Sequence, residues 1–429
     1  MRRTPLAGLK CQNILPKTIF SCLNPTSSLP YNWSDKLRGM VLGIALARSV
    51  LLQDIARTFG GLLKTVENNL SNFLTQKRLL LDEEHRCYVI AILRRLGKKR
   101  FRRYQGKVIM IVDATSYAKT RSRGQERPMP QTGKVRLHNL PTKEVVLAPG
   151  YQELWAGLLL KKGRCLGITR KLFTECMAGF FSQNLIEEQE IQRAIEIVEE
   201  ALECKVILVA DRGFRRKELL HYLRQMDRVD FVIRIDGNLT VETKDRKGLL
   251  LKLAPAWKSR VRMPWRDNSK NPLVSDVSAG KVSVAMSRKT KLSLNVLYLE
   301  PIDSRLEPMF LATSLSIADI PGLMMVVRLY SLRWSIETFF ANFKESLRVA
   351  GFRVFSCWEA IDRLLIMAHM AFLVLSLLYL MAEGDPAQRR LMRLKLRLWF
   401  ARPPELTLGR FLELIALDFS QRYWAAGAA

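Results

Sequence analysis

Histidine is scarce in this sequence, with four among 429 residues, and the seven cysteines are scattered as Cys11, Cys22, Cys87, Cys165, Cys176, Cys204 and Cys357. No two of them form a C-x-x-C pair, which argues against zinc fingers and against a disulfide scaffold. Single scattered thiols suit a reducing compartment, so a cytoplasmic protein is expected. Acid is the second shortage. Asp and Glu number 40 against 69 Lys and Arg, a formal net charge of +29. An excess of that size points to a polyanionic partner, nucleic acid ahead of an anionic membrane surface. Long apolar runs are the third. The basic residues near the N-terminus are followed by no continuous apolar stretch, so no signal peptide is expected. Residues 364–381, LLIMAHMAFLVLSLLYLM, are the single uncharged run of spanning length. Such a run reads either as one membrane helix or as a helix inside a large core. Basic charge spread along the rest of the chain favours the core helix, and no membrane is expected.

What is present is apolar content enough for a core, 48% of residues, in a chain long enough for two or three domains. Residues 1–35 are rich in Pro, Ser and Asn and read as irregular. Residues 36–105 read as helical, giving a helical N-terminal DNA-binding domain over 1–105. Within it QDIARTFGGLLKTVENNLSNFL carries helix-turn-helix spacing: Ala56, Gly60 four later, Val66 six after that. Plain helical packing produces the same spacing, and both readings stand. The run RRLGKKRFRRYQGK, 94–107, holds eight basic residues and no acid. A solvated face is one explanation. Interleaved Phe101 and Tyr104 favour a DNA-backbone contact through Lys98, Lys99, Arg100, Arg102 and Arg103.

From 107 the pattern alternates strands and helices. VIMIVDAT and KVILVADRGF read as buried strands that end in Asp113 and Asp211. KVRLHNLP, EVVLAPGYQELWAGLLL, RCLGITRKLF and DFVIRID read as further strands. IEEQEIQRAIEIVEEALEC and RKELLHYLRQM read as helices. The expectation is an α/β fold with a mixed sheet, in core segments 106–236 and 316–382 around a β-rich insertion at 237–315. A basic tail, 383–429, would contact DNA or another subunit, chiefly through RRLMRLKLRLWFAR at 389–402. In the insertion, Trp257 and Trp265 read as packing residues ahead of base-stacking ones. His221 reads as an ordinary helix residue.

Strand ends in an open α/β sheet are where sites form. A lone Asp there is commonly a cap. Two of them, each closing a buried strand in a strongly basic chain, suggest hard-oxygen ligation of Mg²⁺ or Mn²⁺. The segment 321–348, PGLMMVVRLYSLRWSIETFFANFKESLR, reads as one long helix. At about 100° per residue, Tyr330, Arg333, Glu337 and Lys344 fall in a sector about 60° wide, beside an apolar face of Ile336, Phe339, Phe343 and Leu347. Glu337 becomes a third carboxylate, flanked by groups able to grip a phosphodiester. The alternative is a surface Arg333–Glu337 ion pair worth about 0.5 kcal/mol or less.

The segment YSLRWSIETFFANFK, with its Y-x2-R-x3-E-x6-K spacing, resembles the Y-R-E-K signature of bacterial insertion-sequence DDE transposases of the IS-four type. IVDATSY and VADRGF resemble the two Asp motifs of that family, the second without the acid that some members carry after the Arg. Asp113, Asp211 and Glu337 follow in order, 98 and then 126 positions apart, and the long second gap fits the β-rich insertion that this family places before its last acidic helix. The resemblance covers about residues 105–350. It implies a ribonuclease H-like catalytic core and cut-and-paste DNA transposition: cleavage at transposon-end inverted repeats, then strand transfer into target DNA. It implies that Asp113, Asp211 and Glu337 are catalytic and hold two Mg²⁺, which Mn²⁺ can replace. Tyr330, Arg333 and Lys344 would fix the scissile phosphate and its neighbours, so loss of Arg333 or Lys344 would leave metal binding nearly unchanged. A homodimer on double-stranded DNA, associated with a bacterial nucleoid, is expected. The rival readings are an endonuclease without strand transfer and a non-catalytic DNA-binding protein on the same fold.

Overall fold

The structure of the protein is a computed structural model. It describes residues 31–390, apart from 60–61, 78, 120–128, 139–144, 162, 258–260, 266–272, 288–289, 304, 355 and 388, together with residues 410 and 411. Most of the expected tail, 391–409 and 412–429, and the irregular stretch 1–30 lie outside the described residues.

Among the described residues, four helices precede any strand: α1 (Tyr31–Ala47), α2 (Leu52–Ala56), α3 (Leu63–Leu74) and α4 (Asp82–Leu96). The last opens on Asp82, Glu83 and Glu84 and closes on Arg94 and Arg95, the charge order a helix dipole favours. Gly97, at φ 68°, ends it. Helix α1 lies tight on α2: a Cβ on Gly43 would meet Ile55 at 2.8 Å and Phe59 at 2.9 Å. Helix α3 packs on α2. It buries Phe73 and Leu74 and turns Lys64, Thr65, Asn68, Asn69 and Asn72 outward. These are the helices in which the Ala56–Gly60–Val66 spacing was read, and Ala56 is buried between them; Gly60 itself lies outside the described residues.

The strands are β1 (Arg103–Tyr104), β2 (Lys107–Ala118), β3 (Gly133–His138), β4 (Val145–Leu159), β5 (Cys165–Phe173), β6 (Val206–Ala210), β7 (Val229–Ile235), β8 (Thr240–Glu242), β9 (Lys247–Leu249), β10 (Val261–Trp265), β11 (Leu273–Ala285), β12 (Lys291–Pro301) and β13 (Met309–Thr313). They join in one mixed sheet. Strand β4 pairs antiparallel with β2 and β5, while β2, β6 and β7 run parallel in that order. Parallel neighbours need a crossover, and α5 (Gln183–Leu202) and α6 (Lys217–Gln225) supply it. Strand β6, VILVA, is buried at every position, as a central parallel strand covered on both faces must be.

The described residues of 237–315 form strands, the short helix α7 (Leu250–Leu253) and a 3-10 turn at Ala254–Ala256, and the strands extend the core sheet. Strand β13 pairs antiparallel with β7, then β12 and β11 follow. Trp257 lies against Gly280 of β11, where a Cβ would come within 2.6 Å of the indole, so this tryptophan packs on the sheet. The Trp265 side chain lies outside the described residues.

The single long helix expected over 321–348 is two helices, α8 (Ile320–Ser331) and α9 (Ser335–Ser346), joined by a 3-10 turn at Leu332–Trp334. Asp319 caps α8 by accepting from Gly322 N at 2.8 Å. The expected apolar face, Ile336, Phe339, Phe343 and Leu347, is buried, and Phe340, outside that face, is buried as well. Phe339 and Phe343 meet the Trp155 ring edge-on, centroids 5.0 and 5.1 Å apart. Gly167 of β5 permits this approach, because a Cβ there would stand 2.5 Å from Phe339 and 2.9 Å from Trp155.

Helix α10 (Trp358–Gly384) contains the apolar run and is long and apolar enough to cross a membrane; 94% of that window is buried inside the protein. It packs on α1, α3, α4 and β5. Its Asp362 and His369 are matched internally. Arg170 donates to Asp362 at 2.9 Å and to the buried Glu153, which also accepts from Tyr117 Oη and Trp155 Nε1. His369 Nε2 lies 3.1 Å from Gly167 O, and its Nδ1 lies 2.7 Å from His85 Nε2. A carbonyl only accepts, so His369 Nε2 carries the proton and its Nδ1 accepts from His85.

Candidate active site

Strand register brings the first two acids together. Val112 of β2 pairs with Ala210 of β6, so Asp113 and Asp211 occupy the next positions on adjacent parallel strands. Asp113 continues β2, and its Oδ1 accepts from Ala114 N at 2.8 Å. Asp211 ends β6 and caps a 3-10 turn, with Oδ1 accepting from Gly213 N at 2.7 Å. The capping role and the site position therefore coincide at Asp211.

Glu337 arrives from the first turn of α9. Between it and Asp113 stands Arg333, which is 6% exposed. Arg333 Nη1 donates to Asp113 Oδ2 at 2.8 Å and Nη2 donates to Glu337 Oε1 at 3.2 Å. Its guanidinium carbon lies 4.1 Å from the centre of the Trp334 ring. Burial pushes the Asp113 carboxyl up to about 7; Arg333 opposes the shift, and the charges of Asp211 and Glu337 add to it. Burial also raises the Glu337 pKa, against Arg333 and with a contribution from Asp211. These mutual effects place all three carboxylates within electrostatic reach of one another.

Tyr330 and Lys344 are engaged inside the protein. Tyr330 is buried, and burial raises its pKa. Lys344 donates to Thr115 Oγ1 at 2.6 Å and to Ser116 O at 3.0 Å. Lys98, Lys99, Arg100, Arg102 and Arg103 are all exposed, around the start of β2. Asp113 lies about six residues, or about 20 Å, further along that strand. Lys98 pairs with Glu203 at 3.6 Å, and Arg94 of the same run pairs with Glu200. His221 lies on α6, near Gln225.

Thr115 and Lys119 were not picked out from the sequence. Thr115 lies on the Asp113 side of β2, and Lys119, one residue beyond the strand's end, continues the same period of two. Lys119 donates to Ala350 O at 2.7 Å and to Phe352 O at 3.1 Å; burial first, then Arg353, lowers its pKa to about 8. Counting on by twos from Asp113 would have found them.

A hard divalent cation suits this donor set. Three carboxylates stand against one guanidinium, so negative charge is left unbalanced when all three are ionised, and all the donor atoms are oxygen. Among the described residues, no three His, Cys, Asp or Glu side chains stand arranged to hold a metal ion. Arg333 stands between two of the three carboxylates.

Residues 187–374 match the family model described as a transposase DDE domain. The matched segment contains Asp211 and Glu337, and Asp113 lies upstream of it. The match supports a transposase of the DDE type, acting on DNA. No curated protein matches the sequence.

Proposed function

We propose that this chain is a cut-and-paste DNA transposase of the insertion-sequence type. It would cut at transposon-end inverted repeats and join the freed ends to target DNA. The observation that carries the reading is the adjacency of Asp113 and Asp211 on two parallel central strands, with Glu337 linked to Asp113 through Arg333, in a chain of net charge +29. The mixed sheet, antiparallel through β5-β4-β2 and parallel through β2-β6-β7, supports the mixed-sheet core that this reading assumes.

Asp113, Asp211 and Glu337 would hold two Mg²⁺, or Mn²⁺ in their place. When bound, such ions supply an activated oxygen nucleophile and stabilise the leaving oxygen of a phosphodiester. The chain's own contribution is position. Strand register fixes Asp113 beside Asp211, and the Phe339 and Phe343 contacts on Trp155 hold the Glu337 helix over them. Arg333 offers a planar pair of donors that matches a phosphate, and Lys344 a point charge beside it. The exposed polar face of α3 would read base edges at the transposon end, and the basic residues around 98–103 would grip backbone phosphates. Two copies would act together on double-stranded DNA, in association with a bacterial nucleoid.

The test offers the purified protein pre-cleaved duplex ends with free 3′-hydroxyls, a supercoiled plasmid and Mg²⁺. Joined products that vanish in Asp211→Asn support transposition. Nicked plasmid without joined products would make the protein a nuclease, and neither product would leave it a DNA-binding protein.

A further inference from the structure

We propose that Arg333 is a latch on the chain's own active site. In the free protein it closes the carboxylate cluster to divalent cations, and a DNA phosphate draws it off. The inference rests on the metal-site reading above and adds an order of assembly to it.

Three observations carry it. First, the guanidinium bridges Asp113 and Glu337 at 2.8 and 3.2 Å. Arginine does not lose its proton in a protein, so a cation entering between those carboxylates meets a fixed positive charge. Burial works against that charge, yet Asp113, Tyr330, Glu337 and Asp211 outweigh it and strengthen the guanidinium's hold on its proton. Second, Arg333 lies in the 3-10 turn between α8 and α9, where a regular helix was expected. A short 3-10 stretch within a helical run commonly marks a hinge. Third, the same turn holds two buried donors, Arg333 Nε and Trp334 Nε1, with no partner among the described residues. Buried unpaired donors are costly and call for a reason. An arriving phosphate, rich in acceptors, supplies one.

A phosphate competes with carboxylates for a guanidinium on equal geometric terms, because both accept its paired donors. DNA at the site therefore gives Arg333 an alternative partner and frees Asp113 and Glu337. Cation and DNA then favour each other, and the linkage must be reciprocal. A free chain that loads metal weakly stays idle until DNA reaches the site, which gives the latch a use.

The experiment measures Mn²⁺ binding to the full chain through the electron paramagnetic resonance signal of free Mn²⁺. Wild type, Arg333→Gln and Arg333→Lys are compared, each with and without a short duplex. Without DNA, Arg333→Gln should bind Mn²⁺ more tightly than wild type by about 5- to 150-fold, the usual range for coupled sites. The duplex should tighten binding to wild type by a similar factor and to Arg333→Gln by much less. Arg333→Lys keeps the charge and should stay near wild type. Equal or weaker Mn²⁺ binding by folded Arg333→Gln overturns the latch and makes Arg333 a support for the carboxylates. If that variant does not fold, wild type decides alone, and an affinity unmoved by the duplex overturns the proposal. Absence of Mn²⁺ binding in every sample removes the metal site itself, and the latch with it.

Discussion

At the scale of single residues, the account turns on three carboxylates and the groups that touch them. Asp113→Asn, Asp211→Asn and Glu337→Gln should each lower Mg²⁺-dependent nicking by about 10³-fold, the effect of losing several kcal/mol of metal-supplied stabilisation. Gel-shift affinity for duplex DNA should hardly change, and nicking that survives in any one of them removes that residue from the site. The Asp113 carboxyl, at about 7 in the free chain, is part-protonated at neutral pH. Metal binding must displace that proton, so Mn²⁺ affinity should fall by up to about tenfold for each pH unit below 7 and level off above it. Titrations at several pH values check this, and a flat profile from pH 5 to 7 contradicts it. Much of this site was legible in the sequence. Two buried apolar runs each ended in Asp, and the i,i+4 pairing of Arg333 with Glu337 followed from helix geometry. The second partner of Arg333 was not legible. Asp113 is 220 positions away, and no local period reports a contact of that reach. The same holds for Lys344, whose partner Thr115 is 229 positions distant. A stripe on a helical wheel shows which groups share a face, not which of them the fold has already occupied.

At the scale of elements, α9 is held to the sheet by aromatic packing that needs Gly167. Gly167→Ala would place a methyl against Phe339 and Trp155. Overpacking of this kind costs about 1–3 kcal/mol, and the displaced helix carries Glu337. Thermal unfolding should show the loss of stability, and nicking should fall by more than the folded fraction accounts for. A second joint ties α10 to α4 through His369 and His85. Burial first holds both imidazoles below their ordinary range, His369 at about 3. The unfolded chain takes up their protons near pH 6.5 and the folded chain does not. The neutral pair therefore favours the fold fully above pH 6.5, and stability falls between 6.5 and about 3, by up to about 1.4 kcal/mol per histidine per pH unit. Urea unfolding at pH 7.5 and pH 5 should show this loss, and a smaller one in His369→Asn; equal losses would place the acid sensitivity elsewhere. Periodicity revealed most of these elements, including the strands β2 and β6 and the apolar face of α9. It missed the 3-10 turn at Leu332–Trp334, because no Pro or Gly marks the break.

At the scale of the whole molecule, the proposed function assigns the net charge of +29 to DNA phosphates and the polar face of α3 to base edges. On that reading the charge would set affinity. If six to ten phosphates are contacted, binding should weaken about 10³- to 10⁵-fold between 50 and 200 mM salt. Ion pairs such as Arg94–Glu200 and Lys98–Glu203 neutralise part of the run at 94–107, so the lower end of that range is expected. The order of strands around the site could not be read along the chain. Nothing local to β2 or β6 announces that they lie side by side, yet that adjacency joins Asp113 to Asp211. The most direct test of the central claim is strand nicking of a supercoiled plasmid by the wild-type chain and by Asp211→Asn, with Mg²⁺ and with chelator. The account predicts nicking by wild type in Mg²⁺ alone, and none by Asp211→Asn in either condition. Nicking that persists in chelator, or in Asp211→Asn with Mg²⁺, would contradict it.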